Sequence, residues 1–285
     1  MQAAFDSGFV TRFAPSPTGA LHLGHAYSAL LAFDAARAAG GRFLLRIEDI
    51  DTTRCRPEFE AAMLEDLAWL GLTWEQPVRR QSDHFDDYRA ALDRLAEKDL
   101  LYPCFCTRKE IRAAAIHSPK APQGPDGPIY PGTCRGMSAA ERDSRIAAGT
   151  PFALRLDAAR ATRAVGRPLT WTDAEAGEQT CDPASHGDVV IARKDVPTSY
   201  HLSVTVDDAL QGVTDVIRGT DLFHATQVHR LLQALLGLPT PTYKHHPLLL
   251  DDSGIRLAKR HGSKTLADLR GEGLTPDDVR RLAGL

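Results

Sequence analysis

Phe9-Val-Thr-Arg-Phe-Ala-Pro-Ser-Pro-Thr-Gly-Ala-Leu-His-Leu-Gly-His25, with Gly40-Gly-Arg-Phe-Leu-Leu-Arg-Ile-Glu48 behind it, decides the fold. Phe9–Phe13 predicts a short strand, and the Pro15–Gly19 run breaks it with turn chemistry. From His22 to Ala39 the apolar residues recur at helical spacing until Gly40-Gly41 stop the helix. Arg42–Ile47 predicts a second strand. Strand, helix and strand in that order form a βαβ unit, which implies a parallel sheet and an α/β fold.

Working outward, Pro57–Leu70 reads as a helix with proline in its first turn, and Asp83–Lys98 as another. Leu101–Trp171 has the mixed character of an insertion. Within it Ser118–Gly132 is rich in Pro and Gly and reads as a loop. The α/β pattern resumes near Asp188–Ile191. It continues through a strand at Val213–Ile217 and a helix at Ala225–Leu236 closed by Gly237, and it ends in short helices. No internal repeat is present.

With 285 residues the chain can bury one large core, or one core with an insertion. Its 43% hydrophobic and 25% charged residues fit a soluble globular protein, expected in the cytoplasm and off the membrane. No apolar run approaches the roughly 20 residues that span a bilayer. A net charge of −3 argues against a generally basic nucleic-acid binder but leaves room for a local patch. The five cysteines are an odd number, and Cys104-Phe-Cys106 brings two together, so a metal site is a better expectation than a disulfide framework.

The start of the first helix carries chemistry. A helix N-terminus offers unpaired N–H groups and partial positive charge, which suit phosphate. His22 and His25 share one face of the first turn, and Gly24 lets a flat group approach the backbone. Two imidazoles there can donate to an α-phosphate as charge develops on it. An arbitrary H-x-x-H is more often a pair of surface histidines. Far downstream, Arg256-Leu-Ala-Lys-Arg260 is a cationic stretch able to neutralise departing pyrophosphate, although alone it reads as a solvated basic loop.

Taken together, these segments resemble class I aminoacyl-tRNA synthetases. His22–His25 is similar to their HIGH signature, Arg256–Arg260 to their KMSKS loop, and the Arg12–His25 and Leu45–Asp51 segments to the glutamyl subgroup. Arg256 stands where the family usually has its first lysine and Ala258 where it has a serine, while Lys259 matches the second lysine. The resemblance implies a Rossmann-like doubly wound parallel sheet with a zinc-containing insertion and a short helical C-terminal stub. It implies a first half of the core at 1–100, the insertion at 101–187, the second half at 188–250, and the lysine loop with helical stub at 251–285. It also implies His22, His25 and Lys259 as catalytic residues, with Gly24 and Arg256 joining them in binding ATP, and Mg2+ arriving with the nucleotide.

A glutamate carries two carboxylates and one ammonium, so its pocket calls for arginine forks, a carboxylate and hydroxyl or backbone donors. Arg12, Glu48 and Arg218 stand at predicted strand ends, and Tyr200 opens a predicted helix. An Arg–Glu pair at a sheet edge is often only an ion pair. Similarity to glutamyl-tRNA synthetases places Arg12, Ala14, Ser16, Glu48, Tyr200 and Arg218 on the amino-acid pocket, with the arginine of each carboxylate left open.

Cys104, Cys106 and Cys134 are three thiols for a tetrahedral zinc. On spacing, His117 is a generic fourth ligand and Tyr130 a less usual one. The resemblance selects Cys104, Cys106, Tyr130 and Cys134. Cys55 and Cys181 read as ordinary thiols. The sequence ends at Leu285, without the helical anticodon-binding part of full glutamyl enzymes. That resembles the bacterial paralogues that activate glutamate without tRNA and transfer it to queuosine at the wobble position of tRNA(Asp). The expected partners are therefore ATP, L-glutamate and queuosine-bearing tRNA(Asp), met by a monomer, with Arg79, Arg80, Lys244 and Arg260 as weak phosphate candidates. The alternatives are a truncated enzyme charging tRNA(Glu) and an inactive tRNA-binding paralogue.

Overall fold

A computed structural model describes residues 8–116, 123–124, 127–250 and 264–285. The first run is β1 (Val10–Phe13), α1 (Leu23–Ala38), β2 (Arg42–Ile47), α2 (Pro57–Trp69), β3 (Arg79–Arg80) and α3 (Phe85–Ala96). The middle run is β4 (Leu101–Cys104), α4 (Arg108–Ile116), β5 (Gln123–Gly124), β6 (Gly127–Pro128), α5 (Ala139–Ala147), β7 (Ala153–Leu156), α6 (Ala158–Val165), β8 (Thr170–Asp173), β9 (Gly177–Thr180) and β10 (Val190–Ala192). The last run is α7 (Tyr200–Leu210), β11 (Asp215–Gly219), α8 (Ala225–Leu236), β12 (Thr242–His246), α9 (Leu266–Gly271) and α10 (Pro276–Ala283). Among the described residues no helix is long and apolar enough to cross a membrane.

The predicted βαβ unit is present. β1 and β2 run parallel with Val10 opposite Arg42 and Phe13 opposite Leu45, and β3 adds in parallel on the far side of β2. β11 and β12 are parallel from Asp215–Thr242 to Gly219–His246, β8 joins β12 in parallel, and β9 turns back antiparallel on β8. The two groups meet where β1 lies beside β11. There the Thr214 amide donates to the Val10 carbonyl at 2.9 Å, and the Val10 amide donates to the Thr214 hydroxyl at 2.9 Å. Chain order thus reverses between β1 and β11, the kind of place where α/β sheets open a crevice beyond their strand ends.

Side chains alternate across these strands, and both faces are covered. Leu44 and Val216 enter one apolar core with Tyr88, Leu202 and Leu232 from α3, α7 and α8. Leu45 and Ile217 enter a second core with Leu30, Met63, Leu266 and Val279 from α1, α2, α9 and α10. The C-terminal helices are therefore part of the core. Each starts with a reciprocal capping box, Thr265 with Asp268 and Thr275 with Asp278. Arg280 also grips Asp34 on α1 with two bonds of 2.7 and 3.0 Å.

β4, β7 and β10 form a separate antiparallel sheet. The expected boundary between 187 and 188 does not divide the two kinds of sheet. β8 and β9, inside 101–187, pair with the core strands, while β10, beyond 188, pairs with β7. An apolar run announces a strand but not its partner. The Ser118–Gly132 stretch, expected to be all loop, contains a short antiparallel β5–β6 ladder.

Candidate active site

One cavity of about 390 Å³ opens where β1 and β11 end. Its walls include Arg12, Ala14, Ser16, His22, Gly24, His25, Glu48, Tyr200 and Arg218, bringing together residues far apart in the chain. The helix start is built by the histidines themselves. His22 is the N-cap of α1, and its Nδ1 accepts from the Gly24 amide at 3.1 Å. His25 Nδ1 accepts from the His22 amide at 3.2 Å, and the two rings lie 3.9 Å apart. Because each Nδ1 is an acceptor, a neutral ring carries its hydrogen on Nε2. Gly24 allows this, since a Cβ there would stand 3.1 Å from the His22 ring.

The acidic and basic residues around the pocket form a buried network. Arg12 donates to Asp208 at 3.0 and 3.5 Å. Arg46 donates to Asp208 at 2.8 Å and to Glu48 at 3.1 Å. Asp207, next along α7, takes Arg79 at 2.7 Å, Gln81 at 2.8 Å and the Tyr88 hydroxyl at 2.9 Å. Burial raises the Glu48 carboxyl above its ordinary value, opposed by Arg46 and Arg12. Asp208 is pushed the same way by burial, but its two arginines win and hold it low.

Arg218, at the end of β11, is only 6% exposed and differs from Arg12. Its contacts are neutral: His245 at 3.1 Å, His229 at 3.3 Å, the Thr226 hydroxyl at 2.7 Å, the Leu222 carbonyl at 3.2 Å and Tyr200 at 3.5 Å. Arg12 is ion-paired with Asp208, which it shares with Arg46, whereas Arg218 makes no ion pair within 4.0 Å among the described residues.

Arg256, Lys259 and Arg260 lie outside the described residues, as does His117. The chain leaves for the lysine segment past Leu248 and Leu249, which line the cavity, and returns at Thr265, which bridges to His22. Two phosphate candidates are engaged elsewhere. Arg79 is mostly buried against Asp207 and Asp87, and Arg80 is paired with Glu60. Lys244, half exposed, sits 3.4 Å from Glu175. Sequence reasoning missed several wall residues: Tyr27, Ser28, Asp221 and His246. Ser28 lies three residues beyond His25 on the same helical face, and its hydroxyl meets His246 Nε2 at 2.6 Å. That spacing was a readable signal, whereas the arrival of His246 from β12 was not.

In the antiparallel unit the sulfurs of Cys104, Cys106 and Cys134 lie within 4.8 Å of one another. Cys106 and Cys134 are 3.5 Å apart, and the Tyr130 hydroxyl lies 3.3 Å from Cys104 and 3.6 Å from Cys106. A tetrahedral zinc with bonds of about 2.3 Å to sulfur and 2.0 Å to oxygen has edges of roughly 3.5–3.8 Å, so these four residues fit one. Arg155 stacks 3.8 Å from the centre of the Tyr130 ring and holds it in place. Cys55 and Cys181 lie outside this cluster.

A family model described as tRNA synthetases class I (E and Q), catalytic domain, matches residues 9–283. The chain belongs to this family. It is 52% identical to the glutamyl-Q tRNA(Asp) synthetase of Rhodobacter capsulatus, over 97% of this chain and 100% of that one. It is 39% identical to the glutamate–tRNA ligase of Aquifex aeolicus, over 94% of this chain and 54% of that one. Among solved structures, this class I chain superposes on a glutamate tRNA ligase from Elizabethkingia meningosepticum, in complex with its amino acid, with a TM-score of 0.74 and 29% identity. The match covers 90% of this chain and 53% of that ligase.

Proposed function

We propose that this chain activates L-glutamate with ATP and passes the glutamyl group to queuosine in tRNA(Asp). The carrying observation is one cavity that joins a histidine-capped helix start to a pocket with Arg12, Glu48 and Arg218. A glutamate carboxylate oxygen attacks the α-phosphorus of ATP, the P–O bond to pyrophosphate breaks, and glutamyl adenylate forms. The Nε2–H groups of His22 and His25 donate to the α-phosphate as charge grows on it, and Gly24 leaves room for the nucleotide. Lys259, supported by Arg256, neutralises the leaving pyrophosphate, and Mg2+ accompanies the nucleotide as its counter-ion.

Glutamate is held by Arg12, the Ala14 backbone, Ser16, Glu48, Tyr200 and Arg218. Glu48 takes the α-ammonium, and Arg218 offers its uncancelled charge to a carboxylate. In the second step a queuosine hydroxyl attacks the acyl carbon, the ester bond forms, and AMP leaves with the electron pair. The 52% identity to a glutamyl-Q tRNA(Asp) synthetase supports this acceptor. Cys104, Cys106, Tyr130 and Cys134 hold a structural zinc that ties β4 to the segment after β6. The protein works as a monomer.

Pyrophosphate exchange tests this reading. We expect glutamate-dependent exchange without tRNA, followed by transfer to queuosine-bearing tRNA(Asp). Exchange that needs tRNA, or charging of tRNA(Glu) at its 3′ end, overturns the acceptor, and no exchange at all overturns the activity. Lys259→Ala should lower exchange about 100-fold. Metal analysis should find one zinc per chain that is lost in Cys104→Ser; zinc content unchanged by that substitution refutes the ligand set.

A further inference from the structure

We propose that His229 and His245 are positioning residues that hold Arg218 in a neutral shell, so that its charge is kept for a carboxylate of the bound amino acid. The inference rests on the proposed glutamate pocket and adds the groups behind it. Arg218 has five N–H donors, and the hydrogen-bond acceptors of its side chain among the described residues are His245 Nε2, His229 Nδ1, Thr226 Oγ1, the Leu222 carbonyl and the Tyr200 hydroxyl, with the neutral Tyr243 ring centre 5.2 Å from its guanidinium carbon. Among the described residues it makes no ion pair within 4.0 Å. Arg12 and Arg46, by contrast, share Asp208. Neutral acceptors orient a guanidinium but cannot cancel its charge, and a carboxylate in the shell would cancel it before any ligand arrived.

The tautomers follow from the contacts. His245 accepts from Arg218 through Nε2, so its hydrogen is on Nδ1, which meets Asp173 at 2.7 Å. His229 accepts through Nδ1, so its hydrogen is on Nε2, 3.2 Å from His201 Nδ1. Each ring is thus locked by a partner on its far side, as positioned imidazoles usually are. Both are almost fully buried, at 2% and 4% exposure. Burial, with Arg218 beside them, pushes both rings toward the neutral form. Asp173 in turn is fastened by the Glu175 and Ala176 amides at 3.0 and 2.9 Å.

The test separates an acceptor from a packing role. Asn Oδ1 occupies the place of His229 Nδ1, Gln Oε1 that of His245 Nε2, and Leu supplies volume without an acceptor. His229→Leu and His245→Leu should weaken L-glutamate binding about tenfold or more, because a hydrogen bond to a charged group is lost. His229→Asn and His245→Gln should restore most of it, and ATP binding should stay within about twofold of the parent in all four, since no ATP contact changes. Calorimetric titration with L-glutamate alone reads this in the full chain, without requiring turnover. If exchange is absent in the parent protein yet glutamate binding follows this pattern, the proposed activity fails and the shell stands. Leu variants that bind glutamate like the parent overturn the shell. So do Asn and Gln variants as weak as Leu, equal losses of ATP and glutamate binding, or a parent that does not bind glutamate.

Discussion

At the residue scale, the two histidines of the helix start close the backbone with one ring edge and, in the proposed activity, meet phosphate with the other. Nδ1 of each accepts from a backbone amide at the start of α1, so a neutral ring carries its hydrogen on Nε2, the donor proposed for phosphate. Removing His22 should therefore carry two separable costs. His22→Ala should lower glutamate-dependent pyrophosphate exchange about 100-fold. It should also destabilise the fold by about 1 kcal/mol through the lost cap, read as a lower urea midpoint. Parent-like exchange in His22→Ala would contradict the phosphate role. The pairing of His22 with His25 was legible, because three-residue spacing on a helix fixes a shared face. The neutral surroundings of Arg218 were not, because His229, Thr226 and His245 reach it from α8 and β12.

At the element scale, α7 is pinned to the sheet by charge as well as by apolar packing. Asp207 and Asp208 stand near its C-terminal end and accept Arg79, Arg12 and Arg46 from strands of the first half. Breaking one side of such a buried network leaves the opposite charges stranded. Asp208→Asn should cost about 3 kcal/mol or more in a denaturation experiment. A loss below about 1 kcal/mol would mean that water or Glu48 takes over the arginines. The Tyr200 helix itself was readable, but the direction in which Asp207 and Asp208 face was not. The antiparallel unit behaves similarly: Cys104-Phe-Cys106 pointed to the cluster of three thiols, while β10 found its partner only through the chain's path.

At the scale of the whole molecule, a set of buried neutral histidines makes stability depend on pH. Burial is the largest cause that depresses His229, His245 and His246, and it holds His245 at about 4 against an ordinary 6.5. In the unfolded chain these rings take up protons near their ordinary value, while the folded protein refuses them until lower pH. Stability from this source is therefore complete above pH 6.5 and falls as pH drops toward 4. Urea midpoints measured at several pH values should decline across this window, and His245→Gln should flatten the decline. A midpoint constant across the window would contradict neutral burial.

What the sequence by itself determined is local and periodic. It set the β1–α1–β2 unit, the histidine cap, the cysteine pair and the helices of the second half, because each is written in neighbouring residues. Those same motifs carried the family resemblance that the 9–283 match bears out. Only the tertiary structure decided that β1 lies beside β11, that β8 and β9 join the core sheet, and that Arg12 is ion-paired while, among the described residues, Arg218 is not. The physical reason is that such facts depend on contacts between residues distant in the chain, and on where low-dielectric packing leaves a charge without its counter-charge.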